Sequence, residues 1–325
     1  MASEVRFGVS NQAYPHLRWI DALELRQLRY FVNVVDMGSL SKAAVLLAVS
    51  QPSLSQQIAA MEHDLGVPLL LRSATGVKPT DAGAKLYRHA RIVLRQMQEL
   101  AADIADEGSG AVGPVAVGLP TSIASVLAVP LVERLRHDHP GVKLQLFESF
   151  SGYLNELLAN GRLDMAILFR GSDAPGMTVK PLFTEQLSVF GAPGIGDPEA
   201  TTCDLASLAD VPMVLPDRTN GLRLLVEQAF SEAGVPLNVM SDIDSLPVMM
   251  KLVRNGTAAT INSSGVARVA ETPILSRRLV NPAINRTVGL CLPTGIPQTA
   301  AALAAEETIR TLAREHAAIW DKATD

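Results

Sequence analysis

The stretch "VSQPSLSQQIAAMEHDLG", Val49 to Gly66, gathers side chains that both donate and accept hydrogen bonds: Ser53, Ser55, Gln56 and Gln57. They fall at the start of a helical pattern in which Leu54, Ile58, Met61 and Leu65 form the apolar face. That leaves Pro52, Ser53, Gln56 and, next to them, Ser55 on the outer side. Hydrogen-bonding groups at an outward helix start suit the edges of bases: glutamine matches adenine, and serine pairs with several edges. A solvated helix end is the plainer reading, since serine and glutamine are common there.

Catalytic chemistry is less well provided for. "GSGAVG", Gly108 to Gly113, matches GxGxxG, but a dinucleotide loop follows a strand and opens a helix. Here a helical pattern precedes it and Pro114 leads into a strand-like run, so the context is reversed. The chain has no GxSxG, HExxH or Walker loop. His63, His89, His137 and His139 lack metal-ligand spacing, and Cys203 and Cys291 read as two separate reduced thiols, buried as free cysteines usually are. The expectation is a protein that is not an enzyme and has no metal and no cofactor.

A chain of 325 residues suggests two or three domains. Its net charge of -5 carries no global basic signal, so a case for nucleic acid rests on local features. The opening residues lack the apolar segment of a signal peptide, and no run of apolar residues is long enough to span a membrane. A soluble, cytoplasmic protein is expected.

Helices must position the polar stretch. Leu28, Phe31, Val34 and Val35 make one apolar face, and Leu40, Ala43, Ala44 and Leu47 make a second behind the N-cap Ser39. A short turn at Ala48-Val49 leads to Ser50, the cap of the third helix, where Pro52 is tolerated in the first turn. Two short helices joined by a tight turn, the second with an outward polar start, form a helix-turn-helix, whose second helix enters the major groove. "PLLLRSATGVKPT" then reads as two strands about Gly76, a wing bearing Arg72 and Lys78 that could meet phosphates. Thr80 caps a helix to about Ala105. Its Leu86, Ala90, Val93, Met97, Leu100 and Ile104 keep coiled-coil spacing, so a second copy of the chain is the expected partner and the reading heads come in pairs. Packing of that stripe on the chain's own C-terminal part is the alternative.

After "DEGSGAVGP" strands and helices alternate, which predicts a parallel sheet with covering helices. The strand ends carry Thr121 and Ser122, Ser149 to Gly152, and Phe169 and Arg170, and the carboxyl ends of such strands are where ligands bind. Hydroxyls beside helix starts suit a small anion. A second lobe runs from about 187 to 286, and its first loop carries Arg218, Thr219, Asn220 and Arg223.

The chain resembles the LysR-type transcriptional regulators from about Leu25 to Ala313. The resemblance is carried by "LRYFVNVVDMGSLSKAAVLLAVSQPSLSQQIAAMEHDLGVPLLLR", by "PTDAG" and by "ESFSGYLNELLANGRLDMAILF". "FVNVVDMGSL", "LYRHARIVLRQ" and "DIDS" make it most similar to the nitrogen assimilation control branch. It implies a multidomain α+β and α/β chain: an N-terminal extension over 1–23, a winged helix-turn-helix over 24–80, a dimerisation helix over 81–106, a hinge over 107–113, and a two-lobed, periplasmic-binding-protein-like effector domain over 114–325. It further implies a DNA-binding regulator that activates or represses transcription as a dimer or tetramer on double-stranded DNA, with RNA polymerase as a further partner. Carried over by position, Gln51, Pro52, Ser55 and Gln56 meet bases, Ser53 meets phosphate, and Arg72 and Lys78 belong to the wing. Thr121, Ser122 and Ser151, with Phe169, Arg170 and Thr219 beside them, would hold a small-molecule effector. Gln56 stands where many members have a basic residue, and "GTAATINSS", with Ala258 and Ser263, replaces the usual Gly-Leu-Gly…Leu-Pro run.

Overall fold

The structure is a computed structural model describing residues 23–73, 76–105, 110–170, 174–191, 200–218, 220–269 and 274–316. It divides into two compact units, Met1–Ala101 and Ala102–Asp325.

The first unit is built from α1 (Leu25–Met37), α2 (Leu40–Leu46), α3 (Gln51–Leu65), the hairpin β1 (Leu70–Ser73) and β2 (Gly76–Pro79), and all but the last turn of α4 (Asp81–Ala105). The caps are local and sit where the sequence puts them. Ser39 Oγ accepts from the Lys42 N–H at 3.4 Å, Ser50 Oγ from Ser53 at 3.2 Å, and Thr80 Oγ1 from Gly83 at 3.0 Å. Ala48, in the turn between α2 and α3, takes the left-handed conformation at φ 54°. A non-glycine residue pays about 1–2 kcal/mol for that, tolerable where the helices on both sides dictate the turn. Phe31, Val34, Ala43, Leu54, Ile58 and Met61 are completely enclosed, so the three helices share one core. The hairpin pairs antiparallel, Leu70 opposite Pro79 and Arg72 opposite Val77. It is tied to the end of α1 by the Val77 N–H, which donates to the Gly38 carbonyl at 2.9 Å.

The second unit contains β3 (Gly113–Pro120), α5 (Thr121–Asp138), β4 (Val142–Ser149), α6 (Ser151–Ala159), β5 (Met165–Leu168) and β6 (Met177–Phe190). These are followed by β7 (Thr202–Asp204), β8 (Met213–Leu215), α7 (Gly221–Glu232), β9 (Val239–Asp242), α8 (Leu246–Arg254) and β10 (Thr260–Ser263). The last described elements are β11 (Ser276–Val280), β12 (Asn285–Pro293) and α9 (Ala300–Glu315). Its main sheet runs β4-β3-β5-β12-β6-β11-β7, with β10 also on β6. The parallel pairing read from "VAVGL", "VKLQLFE" and "LDMAILF" is present in β3, β4 and β5, while the sheet as a whole is mixed. β3, β4 and β5 are parallel, as are β7 with β11 and β8 with β9, but β12 is antiparallel to both β5 and β6, and β10 and β11 are antiparallel to β6. The reason is topological. β6 leaves the first lobe for the second and β12 returns along it, so the two crossing strands must oppose each other. Separate cores serve the two lobes, one around Val117, Leu127, Ile167 and Ile309 and one around Leu187, Leu215, Phe230 and Ile261. Cys203 and Cys291 are both buried and free, as read from the sequence.

Candidate nucleic-acid interface and interlobe cleft

At the start of α3, Gln51, Pro52, Ser53 and Gln56 are exposed, and Ser55 and Gln57 are half-buried. Leu54, Ile58 and Met61 are fully enclosed beneath them, and Leu65 nearly so. The polar start therefore faces away from the core, as the spacing required. Lys78 and Arg72 are exposed on the hairpin beside it. Arg72, however, is not a lone surface cation: its Nη1 donates to Ser55 Oγ at 3.0 Å, and its Nη2 lies 4.0 Å from Glu62 Oε2. The other carboxylate oxygen of Glu62 accepts from the N–H groups of Leu69 at 2.7 Å and Leu70 at 3.0 Å. Sequence reading missed Glu62 because a glutamate on an exposed helix turn carries no local mark of such partners.

Along α4, Ala90 is enclosed and Leu86 half-buried in the core of the first unit. These two of the six expected dimer positions thus serve the chain's own fold, because the first turns of α4 pack beneath the hairpin and α1. Val93, Met97 and Leu100 remain exposed, at 41%, 43% and 51%, so from Val93 onward the apolar stripe is not used by the core of the first unit. The side chain of Ile104 lies outside the described residues.

In the second unit, Thr121, Ser122, Ser151 and Phe169 come together with Phe150, Asn220, Asn262 and Arg286 around one cleft between the lobes. The cavity in it is small, about 30 Å³. Ser125 Oγ reaches across to the Gly265 carbonyl at 3.3 Å. Arg170 does not join this group. It lines a wider recess of about 550 Å³ that shares Ser151, Phe169 and Arg286 with the cleft and adds Asn155, Leu225 and Gln228. Thr219 lies outside the described residues. Arg223 is turned inward, donating to Glu227 at 2.8 Å and Asp242 at 2.7 Å, and Arg218 pairs with Glu227 at 3.4 Å. Neither arginine lines the cleft.

Arg286 went unnoticed in the sequence, where it is one cation on a strand-like run. In the fold it stacks 3.5 Å from the centre of the Phe169 ring, and its Nε donates to the fully buried Glu185, directly opposite it in the β6–β12 ladder. Ser263 Oγ donates to the same carboxylate at 2.5 Å, and the Arg286 Nη2 is buried without a hydrogen-bond partner. Three helices, α5, α6 and α8, begin near the cleft without a side-chain cap, whereas α7 is capped by Asn220. Ser122, a residue that could have been a cap, instead lies inside α5. Among the described residues no cluster of histidine, cysteine or acidic side chains could hold a metal ion, and no helix is long and apolar enough to cross a membrane.

A winged helix-turn-helix with an outward polar recognition helix, followed by a two-lobed α/β unit with a cleft at its crossing strands, defines a DNA-binding transcriptional regulator with a ligand-binding type of second domain. The chain matches the model of the bacterial regulatory helix-turn-helix protein of the lysR family over residues 25–84, and that of the LysR substrate binding domain over residues 108–314. It belongs to the LysR family of transcriptional regulators. Relatives include the nitrogen assimilation regulatory protein nac of Klebsiella aerogenes, 36% identical over 76% of this chain and 80% of that protein. The protein of the same description from Escherichia coli (strain K12) is 32% identical over 89% and 95%. A full-length OxyR variant from Pseudomonas aeruginosa superimposes with a TM-score of 0.72 at 25% identity, over 90% of this chain and 97% of that one. Full-length CbnR complexed with its target DNA shares the fold at a TM-score of 0.54 and 24% identity, over 90% and 100%.

Proposed function

We propose that the protein works in the cytoplasm as a dimer, assembling further to a tetramer, and reads two half-sites of a pseudo-palindromic operator. Gln51, Pro52, Ser55 and Gln56 contact bases and Ser53 a phosphate, while the wing supplies Arg72 and Lys78. Val93, Met97 and Leu100 form the seam between the paired α4 helices, and RNA polymerase is the partner at promoters where it activates. The observation that carries this reading is the split of α3 into an enclosed apolar face and an exposed polar start beside a basic hairpin.

The cleft is the regulatory site, and its chemistry favours a small anion. Uncapped helix starts present free N–H groups, and the orphan N–H of a buried guanidinium is a further donor. Binding acts on DNA through different affinity for two arrangements of the lobes. A second reading has its own support: Phe150 and Phe169 line the cleft themselves, and its cavity is far smaller than the adjoining recess, about 30 Å³ against 550 Å³. In that case the amount of protein is the signal.

Selection of fragmented genomic DNA from the source organism by the purified full-length protein, with sequencing of what is retained at near-physiological salt, tests the first reading. A few upstream regions sharing a spaced inverted repeat support it; retention of random fragments alone refutes it. Thermal unfolding with small carboxylates and inorganic phosphate decides between the readings of the cleft. A ligand at a hundred times its dissociation constant adds about 2.7 kcal/mol, and no shift with any anion leaves the self-filled cleft.

A further inference from the structure

Arg72 donates to the hydroxyl of Ser55, and that hydroxyl makes no other hydrogen bond among the described residues. The guanidinium also faces the Glu62 carboxylate, its Nη2 4.0 Å from Oε2, and two backbone N–H groups of the hairpin base fix that carboxylate in place. Carboxylate, guanidinium and hydroxyl therefore make a line from the foot of the wing to the outward start of α3.

The line has a chemical consequence. A serine hydroxyl offers one O–H donor and two acceptor lone pairs. Arg72 takes one lone pair; as a cation it also makes the oxygen a poorer acceptor and the remaining O–H a stronger donor. Major-groove edges differ on this point: guanine O6 and N7, thymine O4 and adenine N7 accept, whereas cytosine N4 and adenine N6 donate. A hydroxyl held as a donor distinguishes the two kinds, and one left free to rotate does so poorly.

We propose that Arg72 is a positioning residue for base choice: by donating to Ser55 it sets that hydroxyl as a donor toward accepting base edges, and Glu62 keeps the guanidinium in register. This rests on the reading of α3 as the element in the major groove. It gives a wing cation a part in specificity, whereas a cation that met only phosphate would carry no sequence information.

The test is selection from a pool of randomised duplexes by the full-length protein and by Ser55→Ala, Arg72→Ala and the double variant. The sequences retained are counted at near-physiological salt. Ser55→Ala and Arg72→Ala should weaken the preference at the same base pair of each half-site, roughly three- to tenfold. The double variant should do no more than either one. Unchanged preferences at the other base pairs report that α3 is folded. Arg72→Met, which keeps the aliphatic stem, gives the same result if the alanine variant unfolds. Should the Arg72 variants lower retention of every sequence equally while Ser55→Ala changes its own position, the relay is wrong and the DNA reading stands. Should Ser55→Ala leave every position unchanged, Ser55 reads no base and the proposal falls. Failure of the unaltered protein to enrich any motif overturns the DNA reading and the relay together.

Discussion

The Tyr87 hydroxyl on α4 donates to Asp36 Oδ1 near the end of α1 at 2.5 Å, and Arg91, one turn further along α4, donates to the other carboxylate oxygen at 3.2 Å. The Arg91 guanidinium also lies 5.7 Å from the Tyr87 ring centre. This cluster ties the long helix to the reading domain 51 residues away in sequence.

Tyr87→Phe should destabilise the first unit by about 1–3 kcal/mol, the cost of leaving a partly buried carboxylate short of a donor. Burial, followed by the hydrogen bond to Asp36, raises the phenol to about 12 against the opposing effect of Arg91. A phenol whose folded value exceeds its unfolded value, near 10, binds its proton more tightly when folded. Its contribution is complete below pH 10 and is lost as the pH climbs through 12. Denaturant unfolding of both proteins from pH 9 to 12 checks this: the gap between them should narrow over the last two units, and a constant gap contradicts it.

Gly83→Ala should be costly. Gly83 is buried in the first turn of α4, and an added Cβ would lie 2.0 Å from the Leu69 carbonyl oxygen, a backbone atom that cannot swing aside. Forced overpacking typically costs about 1–3 kcal/mol or more. A lower Tm for the first unit and weaker DNA binding are expected, and an unchanged Tm would mean that α4 moves freely from the hairpin.

Met97→Glu and Leu100→Glu should lower self-association while leaving the unfolding of the monomer nearly unchanged, since both side chains are exposed and leave the core intact. Analytical ultracentrifugation over a range of concentrations measures it. Unaltered association would move the dimer seam elsewhere.

Glu185→Ala or Arg286→Ala alone should destabilise the second unit by about 3–5 kcal/mol, because each leaves the other charge buried and unpaired. Replacing both with methionine should recover most of that loss. Thermal unfolding of the three variants decides the point, and equal losses in the single and double variants would show that packing, not charge pairing, sets the cost.

Much of this was legible along the chain. The faces of α1, α2 and α3 followed from Leu28 to Leu65, because one helical period repeats within a few residues. The caps Ser39, Ser50 and Thr80 bond to N–H groups three positions on and needed no distant partner. Thr121, Ser122 and Ser151 could be placed together on one cleft because the strand ends of an α/β sheet lie side by side. Arg170, read from the same strand end, lines the wider recess that shares Ser151, Phe169 and Arg286 with the cleft, a division that the end of a strand does not record.

By itself the sequence determined which residues face inward on each helix, where helices begin, and that a polar helix start would stand clear of the core, since these follow from periods of a few residues. Only the tertiary structure decided which of them meet. Ser55 and Arg72 are 17 residues apart, and Glu185 and Arg286 are 101 apart. Ala90 belongs to the core rather than to a seam because α4 packs beneath the hairpin, and β12 runs against β5 and β6 because the chain must return from the second lobe. Pairings of this kind depend on how distant segments cross, and no local period records that.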